Sequence, residues 1–200
     1  MNKINKLLLV IVSSFVLLIT SMVSSFAKVD GDTITLGAAV SLTGKYATNG
    51  EHTQRGYDLA VQVINDKGGV NINGKKYKLA VKYYDDESDA NKAATLAQRL
   101  IEQDGIQYML GPYGSGITIA VAPVTEKFQI PMIEPSGASR ALFTKGYKYL
   151  FAVLNSADQY LNSAVDLMAE QAVAEGRKAS DVKVAMAFEQ DAFSLDVKLG

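Results

Sequence analysis

The 200-residue sequence has no cysteine and a single histidine, His52. Without thiols there are no disulfides, no thiolate metal sites and no Cys–His nucleophile pair, and one imidazole does not make a histidine-rich metal centre. An excess of charge is missing as well. The formal net charge of −1 gives no long-range positive field of the kind that nucleic acid or an anionic membrane surface favours. A small neutral or zwitterionic partner suits this balance better. No run is long enough to span a bilayer: Leu7 to Ile19 is almost wholly apolar but only 13 residues, against about 20 for a spanning helix.

That short run has another reading. Lys3 and Lys6 give it a basic start, and Ser25-Phe26-Ala27 places small residues where a signal peptidase reads. The segment is expected to be a signal peptide cleaved after Ala27, sending the protein to the periplasm. With no cysteine to carry a lipid, free diffusion there is expected rather than a lipoprotein. The 173 residues after Ala27 are enough for an ordinary hydrophobic core.

From Thr33 onward short β-rich runs alternate with stretches of helical period, the signature of an α/β fold with a parallel sheet flanked by helices. Ile34 to Val40 reads as the first strand. A helix bearing Ala60, Val63 and Ile64 ends at Lys67-Gly68-Gly69, where glycine takes the left-handed cap. Asn73-Gly74 is a type I′ turn signal that reverses the chain into a strand from Tyr77 to Tyr84. Asp89 is placed to cap the next helix, in which Ala93, Leu96, Ala97, Leu100 and Ile101 form one apolar stripe. Gln107 to Leu110 reads as a strand. Next come a helix from Ser115 with Ile117, Ala120, Val121, Val124 and Phe128 on one face, and strands at Pro131 to Ile133 and Tyr149 to Val153. A helix from Ala157 to Ala174 is expected to bury Leu161, Ala164, Val165, Met168 and Ala172. Lys183 to Phe188 reads as a further strand, and the sequence ends just inside the helix it feeds. One strand and one helix cannot close a second core, so the chain reads as the front part of a longer protein.

In open α/β sheets ligands bind beyond the carboxyl ends of the strands, where helix N-termini present free N–H groups. Three loops there are rich in glycine, serine or threonine: Thr43 to Gly50, Gly111 to Gly116 and Pro135 to Ser139. In Gly111-Pro112-Tyr113-Gly114-Ser115-Gly116 the glycines admit close approach, and Ser115 both donates and accepts. The following helix adds partial positive charge, which suits a carboxylate. The alternative is that Ser115 only caps its own helix. No Gly-Lys-Ser/Thr follows, so this is not a P-loop. Ser136 and Ser139 by themselves fit turn and cap roles. Asp85, Asp86, Glu87 and Asp89 lack the spacing and the glycine of a calcium loop, which leaves a solvated strand-to-helix turn. Gly114-Ser115-Gly116 has the wrong spacing for a nucleophile elbow. No catalytic residue, metal or cofactor is expected.

Taken together, Leu36 to Gly44, Ile64-Asn65-Asp66-Lys67-Gly68-Gly69-Val70, Gly111 to Gly116, Ile130-Pro131-Met132-Ile133 and Lys145-Gly146-Tyr147-Lys148 resemble the leucine/isoleucine/valine-binding family of periplasmic proteins. The resemblance implies a type I periplasmic-binding fold. In it two α/β lobes joined by three crossovers close over a ligand and deliver it to the permease of an ABC transporter. On that basis residues 28–155 form the first lobe, nearly complete, and residues 156–200 the crossover and the start of a truncated second lobe. Ser115 matches the serine that holds the ligand carboxylate. Ser136 and Ala138 fall where the family grips the carboxylate and ammonium groups, partly through backbone atoms, and Tyr113 and Asn49 complete the implied ligand set. Some positions depart from the family. Ala138 stands where many relatives carry a hydroxyl, which neighbouring Ser139 is placed to replace. Asn49 lies where an aromatic often covers the ligand, and Ala152 replaces a frequent arginine. Arg140 is expected to face solvent.

The leading reading is therefore an importer's binding protein for an amino acid or a related amide or carboxylate. It touches the membrane only through that importer and binds no nucleic acid. The alternatives are a secreted enzyme on an α/β scaffold and a ligand-sensing regulator of the same fold. The absence of a catalytic constellation weighs against the first, and export against a cytoplasmic form of the second.

Overall fold

The computed structural model describes residues 29–200; the expected signal segment and its cleavage site lie outside them. Among the described residues seven strands form one sheet. They are β1 (Val29–Asp30), β2 (Thr33–Val40), β3 (Val70–Ile72), β4 (Lys75–Asp85), β5 (Met109–Leu110), β6 (Met132–Glu134) and β7 (Leu150–Ala152). The order is β3-β4-β2-β5-β6-β7, with β1 added antiparallel to β2. The pairs β2–β4, β2–β5, β5–β6 and β6–β7 are all parallel. The carboxyl ends of the four central strands therefore lie along one edge, and the loops after them share one side of the molecule.

Helices α1 (Ala47–Asp66), α2 (Ala90–Glu102) and α3 (Ser115–Phe128) make the crossovers. Asp89 caps α2 as expected, accepting the Lys92 N–H at 2.7 Å, and α2 buries Ala93, Ala97 and Leu100 completely. They pack with Ile106, Met109, Ile117, Val121, Ala122, Met132 and Leu142 in the main core. The hairpin at Asn73-Gly74 forms with positive φ at both residues, the backbone that a type I′ turn demands.

Several expectations need correction. Ala60 and Val63 are exposed, while Ile64 turns inward together with Gly50, Tyr57 and Val61, because the helix is set by the close seat of Gly50 against the end of β2. A β-carbon on Gly50 would stand 1.8 Å from the Ser41 carbonyl oxygen. β5 begins at Met109 rather than Gln107. The expected helix from Ala157 is divided into a 3₁₀ turn, Ala157–Gln159, and α5 (Asn162–Ala174). Of its expected buried line only Ala172 is buried, while Ala164 and Val165 are exposed. Residues 183–188 pair with no strand. One physical reason covers both: an amphipathic helix and a lone extended segment bury their apolar sides only against a sheet, and the described residues contain none in that place. The helix expected at the end of the sequence does form, α6 (Ala192–Leu199), laid beside α3 and the short helix α4 (Arg140–Phe143).

Candidate functional site

The site is built from the segments that follow β2, β5 and β6. After β2 the chain is tied to the end of β4 by two aspartates. Asp85 Oδ1 accepts the N–H groups of Leu42 (2.9 Å) and Thr43 (3.2 Å), and its Oδ2 accepts the Thr43 hydroxyl at 2.7 Å. Burial alone would raise the Asp85 pKa, but the Glu87 N–H, also on Oδ1 at 2.9 Å, together with these donors outweighs it and holds the carboxyl below its ordinary range. Asp86 is fully buried and accepts the Ser41 hydroxyl at 2.6 Å and the Ser88 N–H at 2.8 Å. Its second oxygen, Oδ2, is buried with no protein partner, and burial pushes this acid up. The run Asp85 to Asp89 is thus solvated at Glu87 and Asp89, as expected, but not at Asp85 and Asp86. Asp85, Asp86 and Ser88 are the clamp that positions Ser41 to Tyr46, and the sequence hides this because acidic residues before a helix usually face water.

After β5, Gly114 is the N-cap of α3 and Ser115 its first residue. The Ser115 hydroxyl makes no cap to its own helix; it accepts the backbone N–H of Ser139 at 3.0 Å. After β6, the Ser136 hydroxyl donates to the Pro112 carbonyl at 3.1 Å. These two bonds fasten the second and third loops together. Ser139 caps α4, accepting the Ala141 N–H at 3.3 Å, and its hydroxyl donates to Asp196 Oδ2 of α6 at 2.6 Å. The same carboxylate oxygen accepts the Arg140 N–H at 2.7 Å. The Arg140 side chain is largely exposed, as expected, with a long ion pair to Asp158 at 3.7 Å.

Two hollows meet over these loops. One, of ≈ 140 Å³, is lined by Tyr46, Tyr113, Ser115, Ser136, Asp191 and Phe193, among others. The other, ≈ 470 Å³ and broader, is bordered by Asn49, His52, Tyr57, Tyr113 and Ser136. Of the six residues expected to bind ligand, Tyr113 and Ser136 border both, Ser115 the first and Asn49 the second. Ala138 and Ser139 are wholly buried and border neither. Tyr46 and Tyr113 meet edge to face, ring centres 5.6 Å apart, so the lining of the first hollow combines aromatic rings with the hydroxyl-bearing Ser115 and Ser136. This pairing suits a small molecule with a carboxylate at one end and an apolar body.

Sequence reasoning missed Glu134 and Thr118, both fully buried behind the loops. Glu134 Oε1 accepts the N–H groups of Ser136 (2.7 Å) and Gly137 (2.6 Å), and Oε2 lies 2.8 Å from the Thr118 hydroxyl. The signal was available: in a strand, alternate residues share a face, so with Met132 inward Glu134 must also point inward.

The description Periplasmic binding protein belongs to a family that matches residues 33–198. The chain is a member of that family. It is 30% identical over 165 residues to the Leu/Ile/Val-binding protein homolog 8 of Brucella abortus (strain 2308), covering 82% of this chain and 40% of that protein. Among solved structures it is similar to the branched-chain amino acid transporter substrate binding protein of Streptococcus pneumoniae in complex with isoleucine. There the identity is 30% and the TM-score 0.58, over 67% of this chain and 39% of the other. A solute binding protein of an ABC transporter from R. palustris, in complex with 4-hydroxybenzoate, matches at 26% identity and TM-score 0.65, over 84% of this chain and 42% of the other. The architecture is that of the type I periplasmic-binding fold, and the chain spans about 40% of the length of these relatives. The family is one of substrate-binding proteins.

Proposed function

We propose that this periplasmic-binding-family chain supplies one wall of a ligand cleft for a small carboxylate, foremost an amino acid, and serves an ABC importer in the periplasm without catalysing a reaction. The observation that carries the proposal is the meeting of Ser115, Ser136 and Tyr113 around one hollow at the carboxyl ends of parallel strands. Ser115 accepts one N–H, which leaves its proton free to donate to a ligand carboxylate. Asn49 stands at the rim of the broader hollow, while Ala138 lies behind the site with its carbonyl accepting the Ala157 N–H at 2.8 Å. Residues 28–155 act as the first lobe, and residues 156–200 as the crossover toward a second. The partners are the ligand and the importer's permease subunits.

A second reading, an aromatic carboxylate, is favoured by the Tyr46–Tyr113 wall and by the 4-hydroxybenzoate held in the R. palustris relative. A thermal-shift screen of the purified protein with leucine, isoleucine, valine and 4-hydroxybenzoate separates the two, because a ligand that binds the native state raises its melting temperature. A shift with an aliphatic amino acid supports the first reading, and a shift with 4-hydroxybenzoate alone the second. Turnover of a bound amino acid would replace both with an enzyme.

A further inference from the structure

Directly behind the proposed ligand loops lies an acid for which no role has been assigned. Glu134 ends β6, is fully buried, and forms no ion pair among the described residues. Its two oxygens are in different situations. Oε1 takes the two N–H groups of Ser136 and Gly137. Oε2 faces the Thr118 hydroxyl at 2.8 Å, and that hydroxyl is also 2.9 Å from the Gly114 carbonyl oxygen.

A threonine hydroxyl carries one proton. With Glu134 ionised, that proton is offered to two acceptors at once and one contact goes without a full hydrogen bond. With a proton on Glu134 Oε2, the acid donates to Thr118 Oγ1 and Thr118 donates to Gly114, so both short contacts are full hydrogen bonds. The surroundings favour the same state. Gly111 and Gly137 close over the group, such that a β-carbon would lie 2.2 Å from Oε2 at the first and 2.7 Å from Thr118 Oγ1 at the second. Water has little access, and a buried carboxylate without a counter-ion is costly. Burial pushes the acid up, against the Ser136 and Gly137 N–H groups, the Thr118 hydroxyl and a long 3.4 Å contact from the Ser136 hydroxyl to Oε1. From α1 the titratable group turned toward it is Tyr57, whose hydroxyl donates to the Gly111 carbonyl at 2.7 Å. Burial pushes Tyr57 up, so it stays neutral and adds no charge beside Glu134.

We propose that Glu134 is a neutral carboxylic acid at physiological pH and a positioning residue of the cleft, whose proton joins the Ser136–Gly137 turn to the Gly114 turn through Thr118. Because it is uncharged, the floor under Ser136 does not repel an anionic ligand group. This last consequence rests on the proposed function; the proton and the link do not.

The test is carboxyl-carbon NMR of the ¹³C-glutamate-labelled protein, with the Glu134 signal assigned by its loss in Glu134→Gln, alongside amide shifts of Ser115, Ser136 and Gly137 across a pH titration. The glutamine folds into the same network, its oxygen accepting the two N–H groups and its nitrogen donating to Thr118. The expected result is a protonated-acid signal at neutral pH that moves only at higher pH, with the three amides moving in the same step, and no such step in Glu134→Gln. A carboxylate signal at neutral pH overturns the assigned proton. Amides indifferent to the Glu134 step overturn the positioning role. Calorimetry with leucine and 4-hydroxybenzoate, run in parallel, addresses the ligand: affinity falls several-fold through the Glu134 step in the wild type and stays flat in Glu134→Gln. If neither probe binds at any pH, the proposed function fails while the spectra still decide the proton.

Discussion

The Ser115 hydroxyl, at the start of α3, accepts the backbone N–H of Ser139 at 3.0 Å, binding together two loops that are 24 residues apart in the chain. It serves as a structural acceptor, and under the proposed function its own proton goes to the ligand carboxylate. Replacing Ser115 by alanine therefore acts twice. It is expected to weaken ligand binding by about 1–3 kcal/mol and to leave the Ser139 N–H buried and unpaired. Titration calorimetry measures the first effect, and an unchanged affinity would remove Ser115 from the site. Amide exchange at Ser139 measures the second.

Gly50 offers a sharper structural test. Glycine to alanine inside a helix ordinarily gains up to about 1 kcal/mol. Here the added methyl collides with the Ser41 carbonyl, so the sign reverses and Gly50→Ala is expected to cost about 1–3 kcal/mol as α1 is pushed off β2. Urea unfolding reads the result; a midpoint at or above that of the wild type would contradict the close seat.

In the core, Leu100→Ala is expected to lose about 2–5 kcal/mol, the transfer free energy of the side chain plus the cavity left behind. Leu100 is fully buried in the cluster shared by α2 and α3. Calorimetric unfolding of the variant checks it. Leu167→Ala, at a side chain 63% exposed, is the contrast and should fall within about 0.5 kcal/mol of the wild type.

Stability should also respond to pH through Asp86 and Glu134. Both carry pKa values raised by burial in the folded state, whereas in the unfolded chain they return to about 3.9 and 4.3. Between the unfolded and folded values the folded protein binds more protons, so stability falls as pH rises through that window and is regained on mild acidification. Glu134→Gln removes one of the two contributions, and its unfolding free energy should vary less steeply with pH over the same range. Equal slopes for the two proteins would mean that Glu134 titrates normally.

Much of the fold was legible because local chemistry and tertiary packing agree. Asn73-Gly74 demanded a reversed turn, Asp89 a cap, and the Ala93–Leu100 stripe a buried face, and each is found there. The meeting of the loops was legible for a similar reason, since glycine- and serine-rich segments after parallel strands converge wherever the strands do. What escaped was decided by contacts distant in sequence. Whether an aspartate is solvated, as expected for Asp86, depends on Ser41, 45 residues away. Whether α5 buries Ala164 and Val165 depends on a sheet face that the described residues do not offer. The inward turn of Glu134 was foreseeable from strand alternation but was masked by its charge.

The contact of Asp196 with Ser139 and Arg140 makes one carboxylate the latch between α6 and the start of α4. Ser139 and Asp196 are 57 residues apart in the chain, and a single oxygen takes both donors. A charge-neutral change at Asp196 loosens that latch, and the seat of α6 against α4 then depends on its apolar contacts alone.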